Sequence, residues 1–350
     1  MDKNELPIPE HFKPDKVGEV WRVDYQNIAT LASDWANEHK LRAAAQDRFN
    51  VCLILVDVQN TFCIPGYELY VGGRTGTGAV DDNQRLAQFI YKNIHRITEI
   101  VPTMDTHQAM QIFHSVFFVN EDGRHPKPYT QITLEDIKEE RWKFNTEINH
   151  SLSYSSEYIE KHLLHYTEEL KRLGKYDLTI WPYHAMLGGI GHALVSSIEE
   201  AIFFHTIARF SEPHIHVKGD HPLTEHYSVL KPEVSTGPDG SLLPQREESL
   251  FQNPSSSKVI YQKLFDNDIV IIAGQAKSHC VAWTIEDLLK LTNKDENHLL
   301  KKIYLLEDCT SSVVVPDVID YTDQADQAFQ EFSDAGINVV RSTDNISDWT

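Results

Sequence analysis

Cysteine is scarce in this chain: four residues in 350, at positions 52, 63, 280 and 309. No spacing among them makes a short-range pair of the kind that frames a zinc knuckle or a disulfide scaffold. A stapled secreted module is therefore excluded, and a reducing compartment fits. Basic charge is also in deficit, 32 Lys and Arg against 52 Asp and Glu, a formal charge of −20. Such a polyanion repels phosphate backbones and acidic lipid, which argues against nucleic-acid and membrane partners. No apolar run approaches the length of a membrane-spanning helix, and the opening Met1-Asp-Lys-Asn-Glu-Leu6 has no signal-peptide core, so the expectation is a cytoplasmic protein. Internal repeats and low-complexity tracts are missing as well.

What is present is a regular alternation of short apolar runs and amphipathic stretches. Strands are expected at 51–56, 99–103, 178–181, 215–217, 269–273, 303–306 and 337–340, with helices at 82–97, 157–173, 192–208, 281–291 and 324–335. The 82–97 helix carries Leu86, Phe89, Ile90, Ile94 and Ile97 on one stripe, and Gly174 stands in the C′ position of the 157–173 helix. Strands separated by helices imply parallel pairing with right-handed crossovers. The expected fold class is α/β, a three-layer α/β/α sandwich with a mostly parallel sheet. Residues 1–48 form an N-terminal extension with a helix over 25–45, which could cap the domain or cover a neighbouring subunit. Residues 49–350 form the main domain, interrupted by insertions at about 108–156 and 231–258. Insertions of that length inside a compact domain usually serve as lids, interfaces or mobile segments.

The stretch Asp268-Ile-Val-Ile-Ile-Ala-Gly-Gln-Ala-Lys-Ser-His-Cys280 turns from a buried strand through small residues into a cysteine at the start of a helix. Unpaired amides and the helix dipole at that position favour a thiolate, the preparation a nucleophile needs. Alone, the same cysteine reads as a buried small hydrophobe. Three further features change that balance. Val51-Cys-Leu-Ile-Leu-Val-Asp57 is an apolar strand ending in a carboxylate, and open parallel sheets bind ligands at the carboxyl ends of their strands. His214-Ile-His-Val-Lys218-Gly219 ends a β-rich run in a lysine before a turn glycine. Thr103-Met-Asp105-Thr-His107 and Trp181-Pro-Tyr-His184 together offer one carboxylate and two imidazoles.

These motifs, in this order, resemble the nicotinamidase/isochorismatase family of cysteine hydrolases over about residues 49 to 340. The resemblance implies the isochorismatase-like hydrolase fold and a catalytic triad of Asp57, Lys218 and Cys280. It also implies an oxyanion hole from the amides of Ala276 and Cys280, and a non-proline cis peptide between Gln275 and Ala276. The metal-binding set of the nicotinamidase branch lands on Asp105, His107 and His184, suited to a divalent ion, zinc first, with iron or manganese as alternatives. His114 falls behind that set, His279 on the pocket wall, and Phe62 where it could stack on a planar substrate, with Trp142 of the first insertion a more distant candidate. The implied activity is metal-assisted hydrolysis of a small carboxamide, nicotinamide to nicotinate and ammonia, through a thioester. The implied partner is a small-molecule amide, and a homo-oligomer is left open.

Departures from the family pattern keep two other readings in play. Thr61 stands where an acidic residue is usual, Thr106 replaces the Trp of Asp-Trp-His-Pro, and Ala185 replaces a cysteine after the Trp-Pro-x-His. Either the substrate is another amide or a ureido compound, or the chain is a catalytically inactive binding or scaffold member. Against the last, a scaffold has no reason to hold three costly polar groups together in a pocket.

Overall fold

The computed structural model describes residues 5–243, 256–292 and 297–349. Six strands make the central sheet: β1 (Val51–Val56), β2 (Glu99–Asp105), β3 (His216–Lys218), β4 (Ile269–Gly274), β5 (Ile303–Leu306) and β6 (Asn338–Val340). Their order is β6-β5-β4-β1-β2-β3, and every pairing is parallel. The central strands β1 and β4 are buried along their whole length, which is why they read as unbroken apolar runs rather than alternating ones.

The helices that cover the two faces are α1 (Tyr25–Glu38), α2 (Gly78–Asn93), α3 (Ser156–Arg172), α4 (Ser196–Arg209), α5 (Ser256–Asp266), α6 (Ala282–Leu291) and α7 (Thr322–Asp334). Strand side chains divide between the faces by the two-residue period. Leu53, Leu55 and Ile271 pack with Leu86 and Ile90 of α2 and Ile198 of α4. Cys52, Ile54 and Ile272 pack on the other face with Ile285 and Leu288 of α6 and Phe332 of α7. The molecule is thus a three-layer α/β/α sandwich, the fold class the sequence pattern implies. Each such Leu or Ile contributes on the order of 1.5–3 kcal/mol by leaving water.

Several boundaries differ from the sequence expectation for identifiable reasons. Residues 178–181 do not join the central sheet. Only Leu178–Thr179 is extended as a strand, and it pairs antiparallel with Gln131–Ile132 of the first insertion. Helix α2 starts at Gly78 and stops at Asn93, yet Ile94 and Ile97 remain buried in the turn that follows. Helix α1 ends at Glu38, well short of residue 45, where Lys40 takes a left-handed conformation (φ 52°). Helix α4 begins four residues after His192, which lies in a short 3-10 turn. Helix α3 closes as expected: Gly174 is left-handed (φ 66°), Lys175 N–H donates to Leu170 C=O at 3.0 Å and Gly174 N–H to Lys171 C=O at 3.3 Å, a Schellman ending.

The first insertion is folded rather than loose. Phe118–Val119 pairs with Lys143–Phe144, Phe117, Phe118 and Phe144 are buried, and the helix Leu134–Lys138 carries a Thr133/Asp136 capping box. Residues 244–255 of the second insertion lie outside the described residues. The N-terminal segment packs on α4: Trp21 N–H donates to Ser196 Oγ, and Ser196 Oγ–H donates back to Trp21 C=O, both at 2.9 Å. A buried Arg209–Asp47 ion pair at 2.6 Å closes the same contact.

Candidate active site

Parallel pairing sets the carboxyl ends of neighbouring strands side by side, and here those ends carry the polar residues. Asp57 follows β1, Asp105 ends β2, Lys218 ends β3, and the register pairs Asp105 with Lys218 directly. Strand β3 runs one residue further than the sequence suggested, so the lysine is its last residue rather than the one after it. From β4 the chain passes through Gly274 and the cis Gln275–Ala276 peptide into a π-helical turn, Lys277–Val281, that carries Cys280 into α6.

Lys218 is fully buried, and its ammonium joins these groups. Its Nζ lies 2.9 Å from Asp57 Oδ2, 3.0 Å from Asp105 Oδ1 and 3.6 Å from Cys280 Sγ, and it donates to His226 C=O at 2.8 Å. Asp57 adopts a left-handed backbone (φ 47°), unusual for a residue with a side chain. It is held by Thr103, whose Oγ1 accepts from Asp57 N–H at 3.0 Å and donates to Asp57 Oδ1 at 2.6 Å. Gln59 fixes the end of β2 from both sides, accepting from Asp105 N–H and donating to Asp105 C=O, each at 2.8 Å.

Burial and charge compete at every one of these groups. Burial alone would strip the proton from Lys218, but Asp105 and Asp57 outweigh it and hold the ammonium well above the ordinary lysine range. Burial raises the Cys280 thiol well above the usual range, and Lys218 only partly offsets this. The resting sulfur therefore carries its proton, whereas helix-start position alone would make it a thiolate. The Asp57 charge pushes the thiol further in the same direction, and burial raises the pKa of Asp57 itself against the pull of Lys218. Asp57 is thus a stronger base than an exposed aspartate, and Lys218 Nζ links it to the sulfur.

Beside this group three imidazoles converge: ligand nitrogens of His107, His114 and His184 lie within 4.8 Å of one another, and all three residues are buried. Asp105 Oδ1 contacts His107 Nε2 at 3.1 Å as well as Lys218. His184 Nδ1 donates to Pro182 C=O at 2.8 Å and His114 Nδ1 to Ala109 C=O at 3.2 Å. A carbonyl can only accept, so each of these rings is protonated at Nδ1 and keeps its lone pair on Nε2. Burial lowers both rings, His114 to about 3, so both are neutral. His114 Nε2 has no hydrogen-bond partner among the described residues despite being buried. Neutral, backbone-oriented imidazoles with an unsatisfied nitrogen are what a divalent ion requires of its ligands, so the residues fit one. His114, expected behind the set, brings a ring nitrogen within the same 4.8 Å as His107 and His184.

A pocket opens over the thiol, bounded by Phe62, Trp181, Tyr227, His279, Glu225 and Cys280, with Leu69, Val71 and Val313 as its apolar rim. Phe62 meets His184 edge to face at 5.5 Å, and Trp181 Nε1 donates to Tyr227 Oη at 2.9 Å. Ala276, Asp105 and His184 also line it, whereas Trp142 packs against the core of the insertion face instead. Glu225 is buried there, its Oε2 without a hydrogen-bond partner among the described residues and its pKa raised to about 7 by burial. Sequence reading passed over Trp181, Tyr227 and Glu225 as site residues, although Trp181 lies inside the marked Trp181-Pro-Tyr-His184. Leu69, Val71 and Val313 had no such signal.

No protein-family model and no curated protein sequence matches the chain. Solved structures do. The yeast nicotinamidase bound to the inhibitor nicotinaldehyde is 18% identical, covers 83% of this chain and 99% of its own, and superposes with a TM-score of 0.50. The fold is shared. The Acinetobacter baumanii nicotinamidase/pyrazinamidase is 20% identical over 85% of this chain and 98% of its own, TM-score 0.47. The Pyrococcus horikoshii pyrazinamidase in complex with zinc is 18% identical over 83% and 99%, TM-score 0.41.

Proposed function

We propose that the chain is a metal-assisted cysteine amidohydrolase of the nicotinamidase/isochorismatase type that releases ammonia from a small planar carboxamide, with nicotinamide as the leading substrate. The observation that carries this reading is the position of Lys218 Nζ, 2.9 Å from Asp57 and 3.6 Å from Cys280 Sγ, at the carboxyl edge of a parallel sheet.

In the first half-reaction Asp57 takes the Sγ proton as the sulfur attacks the carboxamide carbon, and Lys218 stabilises the charge developing on sulfur. The amides of Ala276 and Cys280 are the candidate donors to the oxyanion. Asp57 then passes the proton to the leaving nitrogen, the C–N bond breaks, ammonia departs and a thioester remains. In the second half-reaction Asp57 takes a proton from water, the hydroxide adds to the thioester carbon, and the C–S bond breaks. The proton returns to sulfur as the acid leaves, so one amide and one water give one acid and one ammonia. His107, His114 and His184, with Asp105 against His107, would hold a divalent ion, zinc by preference. When bound, that ion would supply a Lewis-acidic anchor for a ring nitrogen or its water. Phe62 and Trp181 flank the pocket as flat walls for a ring.

One observation favours another amide or a ureido compound. Thr106, where the family has Trp, bonds His192 Nε2 at 2.8 Å instead of walling the pocket. The deciding experiment is ammonia release from nicotinamide by metal-replete protein, with Cys280→Ala as control. Release that vanishes in the variant supports the reading. No release from nicotinamide, but release from other carboxamides, retires only the substrate. No release from any amide, together with no selective alkylation of Cys280, leaves a binding role.

A further inference from the structure

The π-helical turn that carries Cys280 has a cavity on each side. The second, of about 270 Å³, is lined by Tyr176 beyond the end of α3, Ser278 of the turn, Trp283 and Glu286 of α6, and Glu331 and Phe332 of α7. Tyr176 helps divide the two: its ring lies 5.1 Å from that of His279, which lines the first pocket, and its hydroxyl donates to Ser278 C=O at 3.2 Å. Nothing in the proposed hydrolysis uses this second space.

Its chemistry is specific. Three aromatic rings share the wall, with Tyr176 and Trp283 edge to face at 5.5 Å. Two carboxylates are among the lining residues and no cationic side chain is. The nearby Lys175 is buried and spent: it is paired with Glu233 at 2.7 Å, its Nζ 4.9 Å from the Trp283 ring centroid. Glu286 pairs with Lys290 one turn on at 2.5 Å, and Glu331 accepts from Gln327 at 2.9 Å. These are bonds to the helices' own surface side chains, which a bound charge would supplement or displace. Trp283 is 8% exposed; its indole nitrogen, without a hydrogen-bond partner among the described residues, is itself closed off and does not open to the cavity.

Aromatic faces with carboxylates attract a cation that is cheap to desolvate. We propose that this cavity is a binding site for a small organic cation of the alkylammonium class. The volume suits a molecule smaller than most drug-sized ligands. Because Ser278 lines the cavity two residues before the nucleophile, a bound ligand would bear directly on the turn that positions Cys280.

Choline and its uncharged isostere 3,3-dimethylbutan-1-ol separate charge from shape, and calorimetric titration of the full chain reads both. Saturable choline binding is expected, with the isostere at least about tenfold weaker. Glu286→Gln/Glu331→Gln should weaken choline by a similar factor, while Cys280→Ala should bind it as the parent does. Glu331→Lys, at an exposed helix position, gives an independent check should the double variant fold poorly. The proposal is overturned by no saturable binding, by equal affinity for the two compounds, or by carboxylate variants that bind normally. Binding lost in Cys280→Ala would move the cation to the first pocket and overturn it equally. None of these outcomes depends on whether the chain hydrolyses an amide.

Discussion

Lys218 Nζ stands 3.0 Å from Asp105 Oδ1, almost as close as it stands to Asp57. The lysine is thus shared between the proposed catalytic carboxylate and a carboxylate that touches the histidine cluster. Nucleophile chemistry and the candidate metal centre have a common counter-ion.

Removing that counter-ion should cost more than activity. Lys218→Met leaves two buried carboxylates without their cation, a change worth about 3–5 kcal/mol of stability when a buried pair is broken. The loss should be largest at neutral pH and shrink as acid protonates the unpaired carboxyls. Urea unfolding of parent and variant at two pH values checks this. A variant as stable as the parent at pH 7 would mean the carboxylates find other partners.

Much of the sheet and part of the site were legible because their cause is local. An unbroken run such as Ile269–Gly274 has one use, a strand covered on both faces, and a strand that ends in Asp57 or Lys218 puts that group at the ligand edge. Residues 178–181 misled for the opposite reason: the run is as apolar as a sheet strand, but its partner, Gln131–Ile132, lies in an insertion with no pattern to announce it. His114 was marked in the sequence, but how close it comes to the cluster was hidden in the same way. It reaches the cluster because the backbone of Trp181 bonds Phe113, N–H to C=O at 2.8 Å, laying the His114 loop beside the strand end that leads to His184. Such a bond depends on how two loops meet, not on their composition.

If His114 is a ligand, His114→Ala should weaken zinc binding as much as His184→Ala does, by roughly a hundredfold or more. A residue that only orients a ligand costs about 10- to 100-fold. Competition titration with a chromophoric chelator measures both variants. A markedly smaller loss for His114→Ala would put it behind the ion.

Two glycine substitutions should differ sharply although both glycines are left-handed. Gly174 (φ 66°) has open space where a Cβ would go, so Gly174→Ala meets only the backbone penalty, about 1 kcal/mol. Gly219 (φ 89°) has Asp105 Oδ1 in the way of a Cβ, with His107 Nε2 at 3.1 Å. Gly219→Ala must therefore push both proposed site residues aside, losing several kcal/mol or most of its activity and zinc affinity. Thermal unfolding and zinc titration on the pair test it, and near-equal effects would contradict the close approach.

Acid should destabilise the fold through histidines remote from the site. His205 is buried with Nε2 donating to Ile97 C=O at 2.9 Å, and burial lowers its pKa to about 4. His162 donates to Leu223 C=O at 2.7 Å and is lowered to about 4 by the same cause. In the unfolded chain both titrate near the ordinary histidine value of 6.5. A depressed folded pKa means the unfolded state binds the proton first. The associated stability is complete above pH 6.5, is lost as pH falls from there towards 4, and declines no further below that. Each ring accounts for up to about 3 kcal/mol over that window. His205→Gln keeps a donor for Ile97 but cannot titrate, so its urea midpoint should fall less between pH 7 and pH 4.5 than the parent's. Parallel curves for the two proteins would show that His205 is not held neutral by burial.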